Sequence, residues 1–169
     1  ALHSTVGQPK TSALRARLLD INPACDIEEK NLFFDQSTAD SIDFSAFDYV
    51  IDAIDTVSAK LLLVERARAA GTSILCCMGT GNKLEPTRLR ISAIEKTSVC
   101  PLCRVMRREL RARGIAGVRV LWSDESPCVP IQQLSENGRH PPGSVSFVPP
   151  VAGMILAGQV VRELAGLAG

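Results

Sequence analysis

Phe47-Asp48-Tyr49-Val50-Ile51-Asp52-Ala53-Ile54 decides how the rest of the chain is read. An apolar run of this kind, bounded by polar residues, is what a buried parallel strand looks like. It ends in Asp55-Thr56, and a helix is expected from about Ser58 to Ala70, closed by Gly71. Thr72-Ser73-Ile74-Leu75-Cys76-Cys77-Met78 is then a second buried strand, broken by Gly79-Thr80-Gly81-Asn82. Strand, helix and strand in this order fit one flank of a doubly wound α/β sheet.

Upstream, Ala13, Leu14, Leu18 and Ile21 recur at helical spacing, which predicts a helix from Lys10 to Leu19 that Asn22-Pro23 stops. Asp26 to Phe34 is read as a short strand. Downstream, Arg88 to Ile94 alternates as a half-buried strand should, Pro101 to Arg113 is an arginine-rich helix capped by Gly114, and Val118 to Ser123 is another strand. Ser126 to Gly143 is rich in Pro, Ser, Asn and Gly and is expected to be a loop. Ser144 to Val148 is read as a last short strand and Pro150 to Leu167 as a last apolar helix. The expectation is one domain, residues 1–169, built as a three-layer α/β sandwich on a mixed, mostly parallel sheet.

Composition narrows the function. The chain has 169 residues with 46% hydrophobic and 22% charged, enough for a folded core. A net charge of +1 gives no global field toward nucleic acid or membrane, so any such attraction must be local. One Trp and one Tyr make a poor stacking platform for single-stranded RNA. No apolar run reaches the roughly 18 residues that cross a bilayer; Val148 to Leu167 comes nearest and is interrupted by Pro149, Pro150, Gln159, Arg162 and Glu163. The six cysteines are too sparse for a disulfide-stapled miniprotein and are read as reduced thiols in a cytoplasm.

Two features fall where an α/β sheet holds its ligand, outside the carboxyl ends of the strands. Asp55 follows the first strand, where a carboxylate can hold magnesium. Gly79 and Gly81 follow the second, where glycine lets a ligand approach the backbone. Lys10 can supply a point charge to a phosphate. Taken singly, Asp55 equally suits a helix N-cap and Lys10 a solvated surface.

Ala1-Leu2-His3-Ser4-Thr5-Val6-Gly7-Gln8-Pro9-Lys10, Ile21-Asn22-Pro23 and Tyr49 to Thr56 together resemble landmarks of the ThiF/MoeB/HesA family, prokaryotic relatives of ubiquitin-activating enzymes with a Rossmann-like fold. Met78 to Thr87, Lys96-Thr97-Ser98 through Arg107-Arg108-Glu109-Leu110, and Gly143 to Pro149 resemble the branch that dehydrates threonylcarbamoyladenosine in tRNA. The resemblance implies that Lys10 contacts ATP phosphates and that Asp55 holds Mg2+. It implies adenylation of a carboxylate followed by ring closure, with tRNA as substrate and a homodimer as the assembly. A sulfur-transfer or electron-transfer protein is a further partner to expect. The family's glycine-rich nucleotide loop and Asn-Arg-Gln motif would precede Ala1. The chain is therefore read as N-terminally truncated and is expected, alone, to bind ATP weakly or not at all and to be inactive.

Cys100-Pro101-Leu102-Cys103 is half of a zinc-binding pattern; Cys128 and His140 do not complete it at a recognised spacing, so zinc is not expected. Two thiols at a helix start, one facing the core, or a redox or persulfide role are the other readings. Cys76 and Cys77 are read as small core residues. Arg104, Arg107, Arg108 and Arg111 share one helical face, suited either to an RNA phosphate backbone or to solvent. The last helix is expected to pack within the subunit, with a dimer contact as an additional use. Other functions compatible with the sheet are activation of a ubiquitin-like sulfur carrier, a NAD-binding dehydrogenase flank and a non-catalytic remnant. The NAD-binding flank leaves Lys10 together with Asp55 and the long matching strings unexplained, whereas the remnant stays open as long as the nucleotide loop is absent.

Overall fold

The computed structural model describes residues 2–128 and 142–167. They divide into two compact units, residues 1–39 and 40–169.

In the first unit, helix α1 (Lys10–Ile21) follows Pro9 and ends at Asn22, whose N–H donates to the Leu18 carbonyl at 2.8 Å. The strand expected at Asp26 to Phe34 is not formed. Its polar residues turn to local partners instead of a ladder. Lys30 pairs with Glu28 at 2.7 Å, and the Glu29 carboxylate accepts hydrogen bonds from the hydroxyls of Thr11 and Ser12 on α1.

The second unit is built on a four-stranded sheet of β1 (Tyr49–Asp52), β2 (Ser73–Cys77), β3 (Leu89–Ala93) and β4 (Arg119–Ser123), in the order β1-β2-β4-β3. β1, β2 and β4 run parallel, and β3 is antiparallel to β4. The sheet is therefore mixed and mostly parallel. Helix α2 (Val57–Ala70) makes the crossover from β1 to β2. Its end is set by Gly71 at φ +72°, a left-handed conformation that glycine adopts without a Cβ penalty.

Helices cover both faces. Leu61 and Val64 of α2 and Cys103, Met106 and Leu110 of α3 (Pro101–Ala112) pack on Cys76, Val120 and Trp122. Ala152, Leu156 and Val160 of α4 (Val148–Leu164) pack on Leu75 and Leu121 of the opposite face. The alternation of Leu75 with Cys76, and of Val120 with Leu121, sends neighbouring residues to opposite layers, as the pleat requires. Trp122 closes the β3 edge, with Nε1 donating to Ser92 Oγ at 2.9 Å.

Ser144 to Val148 forms a helix entry, not a strand. Pro149 and Pro150 lack the N–H groups a ladder needs but suit the first helical turn, where those donors have no partner. His140 and most of the expected 126–143 loop lie outside the described residues. Among the described residues no helix is long and apolar enough to cross a membrane.

At the amino ends of the parallel strands, Glu163 of α4 accepts from the Tyr49 hydroxyl at 3.0 Å, Arg119 Nη1 at 2.6 Å and Gln159 Nε2 at 2.6 Å. Burial, then the hydrogen bond and charge of Glu163, push the Tyr49 phenol up to about 12. Ionisation thus favours the unfolded chain, and the contribution is lost as pH rises from the ordinary tyrosine value through about 12. As Tyr49 is the sole tyrosine, its ultraviolet titration is readable directly. Its midpoint should lie well above that of free tyrosine, and Glu163→Gln should bring it down.

Candidate active site

The carboxyl ends of β1, β2 and β4 meet at one side of the sheet, and a cavity of about 460 Å³ opens there. Its wall is joined by a buried ion pair. Asp52, the last residue of β1, and Lys60, in the first turns of α2, are 0% and 1% exposed. Lys60 Nζ donates to Asp52 Oδ2 at 2.8 Å and to the Cys77 carbonyl at 2.6 Å. Asp52 Oδ1 accepts the Ile54 N–H at 3.0 Å. One ammonium therefore ties the ends of two parallel strands to the helix between them. The neighbouring Cys76 and Cys77 thiols are pushed up, chiefly by burial, which makes them poor nucleophiles. Cys76 is a core residue, whereas half-buried Cys77 also lines the cavity.

Asp55, Gly79 and Gly81 all line this cavity. Asp55 is exposed and, among the described residues, accepts only a long 3.4 Å bond from the Thr56 hydroxyl. Thr56, not Asp55, occupies the N-cap position of α2, so Asp55 does not cap the helix. Gly81 is sterically fixed, because a Cβ there would lie 2.8 Å from Pro142 Cβ. At Gly79 the same atom would meet only Leu102 at an ordinary 3.7 Å.

Asn82 holds the rim in place. At φ +58° its N–H donates to the Gly143 carbonyl at 2.8 Å, its Oδ1 accepts the Gly143 N–H at 2.7 Å, and its carbonyl accepts the Cys128 N–H at 2.8 Å. Asn tolerates the left-handed region better than most residues. Below it, buried Lys83 donates to the Glu125 carbonyl, and the Glu125 carboxylate accepts the N–H groups of Leu84 and Glu85 at 2.9 and 3.1 Å. Asp52 and Lys83 lie inside the family-like stretches Tyr49 to Thr56 and Met78 to Thr87, but nothing there singles them out, and no motif marks Lys60 or Glu125. The one available signal is Lys60, a lysine embedded in Ala59-Lys60-Leu61-Leu62-Leu63, where every residue is buried.

Lys10 belongs to the first unit, where it is the first residue of α1 and exposed. The arginines of α3 do not line the cavity. Arg104, Arg108 and Arg111 are exposed, whereas Arg107 is half-buried, with Nη1 donating to the Thr97 carbonyl at 2.7 Å. Arg108 pairs with Glu109 at 2.8 Å. Among the described residues no ion pair holds Arg104 or Arg111, and no three His, Cys, Asp or Glu side chains converge as metal ligands.

The sequence profile of the ThiF family matches residues 1–168. The chain belongs to the ThiF family. It is 39% identical to the tRNA threonylcarbamoyladenosine dehydratase of Bacillus subtilis, over 97% of this chain and 69% of that protein. It is 33% identical to tRNA threonylcarbamoyladenosine dehydratase 2 of Saccharomyces cerevisiae, over 75% of this chain and 29% of that one. Among solved structures, Escherichia coli tRNA N6-threonylcarbamoyladenosine dehydratase in complex with AMP superposes with a TM-score of 0.85 at 24% identity, covering 98% of this chain and 68% of that one. The same enzyme in complex with ATP gives 0.83. This likeness confirms the α/β fold.

Lys60→Met leaves Asp52 buried and unpaired, and should cost about 3–5 kcal/mol of stability in denaturant unfolding. Gly81→Ala should lower the melting temperature through its clash with Pro142, while Gly79→Ala should leave it nearly unchanged.

Proposed function

We propose that this protein performs the ATP-dependent dehydration of threonylcarbamoyladenosine in tRNA. The observation that carries the reading is the exposed Asp55 carboxylate beside Gly79 and Gly81 in one cavity at the carboxyl ends of the parallel strands, in a chain so similar to named dehydratases. The AMP and ATP complexes of the Escherichia coli protein support a nucleotide as co-substrate. The family match through both units supports their reading as one adenylyltransferase domain.

In the proposed reaction the threonyl carboxylate of the modified adenosine attacks the α-phosphate of ATP. An acyl adenylate forms and pyrophosphate leaves. Collapse of the acyl adenylate within the same molecule then closes a ring and releases AMP. The carboxylate is already anionic, so the first step needs no general base, and alignment with charge neutralisation does most of the work. Asp55 fits a magnesium ligand: Mg2+ is commonly held by one or two carboxylates plus substrate phosphates. Bound there, Mg2+ would neutralise phosphate charge. Lys10, on α1, is suited to a phosphate as a point charge, and Gly79 and Gly81 would admit phosphates close to the backbone.

Arg104, Arg108 and Arg111 present exposed guanidinium groups suited to the phosphates of the tRNA. Free thiols support a cytoplasmic location, and exposed Met154, Val161 and Leu164 on α4 supply an apolar stripe for a homodimer.

Asp55→Asn should lower tRNA-dependent ATP–pyrophosphate exchange by about 100-fold or more, with no shift in melting temperature because the side chain is exposed. Exchange that survives intact, or that responds to a ubiquitin-like protein instead of tRNA, would overturn the assignment. Replacing Arg104, Arg108 and Arg111 together by Ala should weaken tRNA binding. It should also flatten the salt dependence, by about one unit of slope for each phosphate that an arginine no longer neutralises.

A further inference from the structure

The cavity wall holds a nucleophile that the proposed reaction does not use. Cys100 is the N-cap of α3 and Cys103 lies in its first turn. Both are free thiols in the cluster under the sheet, and Cys100, though largely buried, lines the cavity beside Lys83 and Leu102. The backbone that delivers Cys100 is unusual. Val99 sits at φ +59°, and the Cys100 N–H donates to the Ser98 carbonyl at 2.5 Å, a γ-turn closed on a β-branched residue. A β-branched side chain in the left-handed region is strained, and such strain concentrates at functional positions.

The surroundings favour negative charge on Cys100. The Cys103 thiol donates a hydrogen bond to it and holds it below the ordinary thiol range, against the effect of burial; the N–H groups of Cys103 and Leu102 and the charge of Lys83 act in the same direction. Cys103 moves the other way, through that same hydrogen bond and burial, and its neighbours are the Thr97 hydroxyl and Arg107. Cys100 lines the cavity, and Cys103 lies three residues further into the helix and is fully buried, so the pair has the placement of an attacking and a resolving thiol.

We propose that Cys100 and Cys103 form a peroxide-reactive pair in the wall of the cavity, Cys100 attacking and Cys103 resolving, which converts reversibly between dithiol and disulfide. The Cys100 thiolate attacks one oxygen of hydrogen peroxide, the O–O bond breaks, and the departing hydroxide takes a proton to leave as water. Cys100 becomes a sulfenic acid. The Cys103 sulfur then displaces its hydroxyl, forming the S–S bond and a second water. In sum two thiols and one peroxide give one disulfide and two waters, and the two electrons come from the sulfurs. A dithiol reductant restores the pair by exchange. This chemistry does not depend on the adenylating assignment.

Cleavage after Lys96 and Arg104 gives a peptide, Thr97 to Arg104, that carries these two cysteines alone. The reduced full chain should be exposed to hydrogen peroxide, alkylated with iodoacetamide in denaturant, digested with trypsin and weighed. The peptide should lose two hydrogens and take no alkyl group; dithiothreitol before alkylation should restore two. In Cys103→Ser, Cys100 should be trapped as sulfenic acid by dimedone. A peptide that stays doubly alkylated while Cys25 and Cys128 oxidise overturns the proposal, as does equal oxidation of Cys103 in Cys100→Ser.

Discussion

Lys60 and Asp52 hold the active end of the molecule together. A parallel sheet joins β1 to β2 only through a crossover, and hydrogen bonds between the strands say nothing about where α2 must start. The buried ammonium supplies that constraint. It has two oxygens within bonding distance, one on β1 and one at the end of β2. Burying two charges is expensive, and a pair of this kind often contributes little net stability compared with an apolar replacement. Its value here is positional. With Asp52 fixed, the chain leaves β1 through Ile54 and brings Asp55 to the cavity. With the Cys77 carbonyl fixed, it leaves β2 toward Gly79 and Gly81.

A second constraint acts on the facing rim. Asn82 accepts and donates hydrogen bonds to Gly143 and accepts one from Cys128, while Pro142 lies against Gly81. Lys83 and Glu125 continue this arrangement inward by satisfying backbone groups of the turn before β3 and of the end of β4. Polar side chains thus replace regular ladders at the point where the sheet stops, leaving backbone loops where a ligand can approach. The helices α2, α3 and α4 meanwhile use apolar faces on the two sides of the sheet, so the site is a polar seam along the edge of an otherwise dry core.

Much of this is legible in the sequence. The runs that become β1, β2 and β4 are apolar, α2 and α3 carry apolar faces and are closed by Gly71 and Gly114, and packing agrees with local preference there. Asp55, Gly79 and Gly81 are readable because an α/β sheet offers its strand ends to ligands. Where the reading fails, it does so for local reasons. Asp26 to Phe34 lacks the apolar alternation that would reward pairing, and its carboxylates serve as acceptors for neighbouring side chains. Ser144 to Val148 has β-like residues, but the two prolines behind it commit the segment to a helix start. Lys60 leaves only a faint trace, a lysine within an apolar run, and that trace gains meaning only when a buried carboxylate eight positions earlier in the chain faces it. Helical spacing groups the arginines of α3, but it cannot tell that Arg107 reaches sideways to Thr97.

The lone indole of the chain has an optical consequence. Trp122 lies in the same cluster as Met78 and Cys100, both of which also line the cavity, and residues 1–39 contain neither tryptophan nor tyrosine. Intrinsic fluorescence therefore comes from the sheet-bearing unit alone and originates one layer beneath the cavity wall. Emission from this protein is a built-in gauge of that wall and is blind to melting of α1.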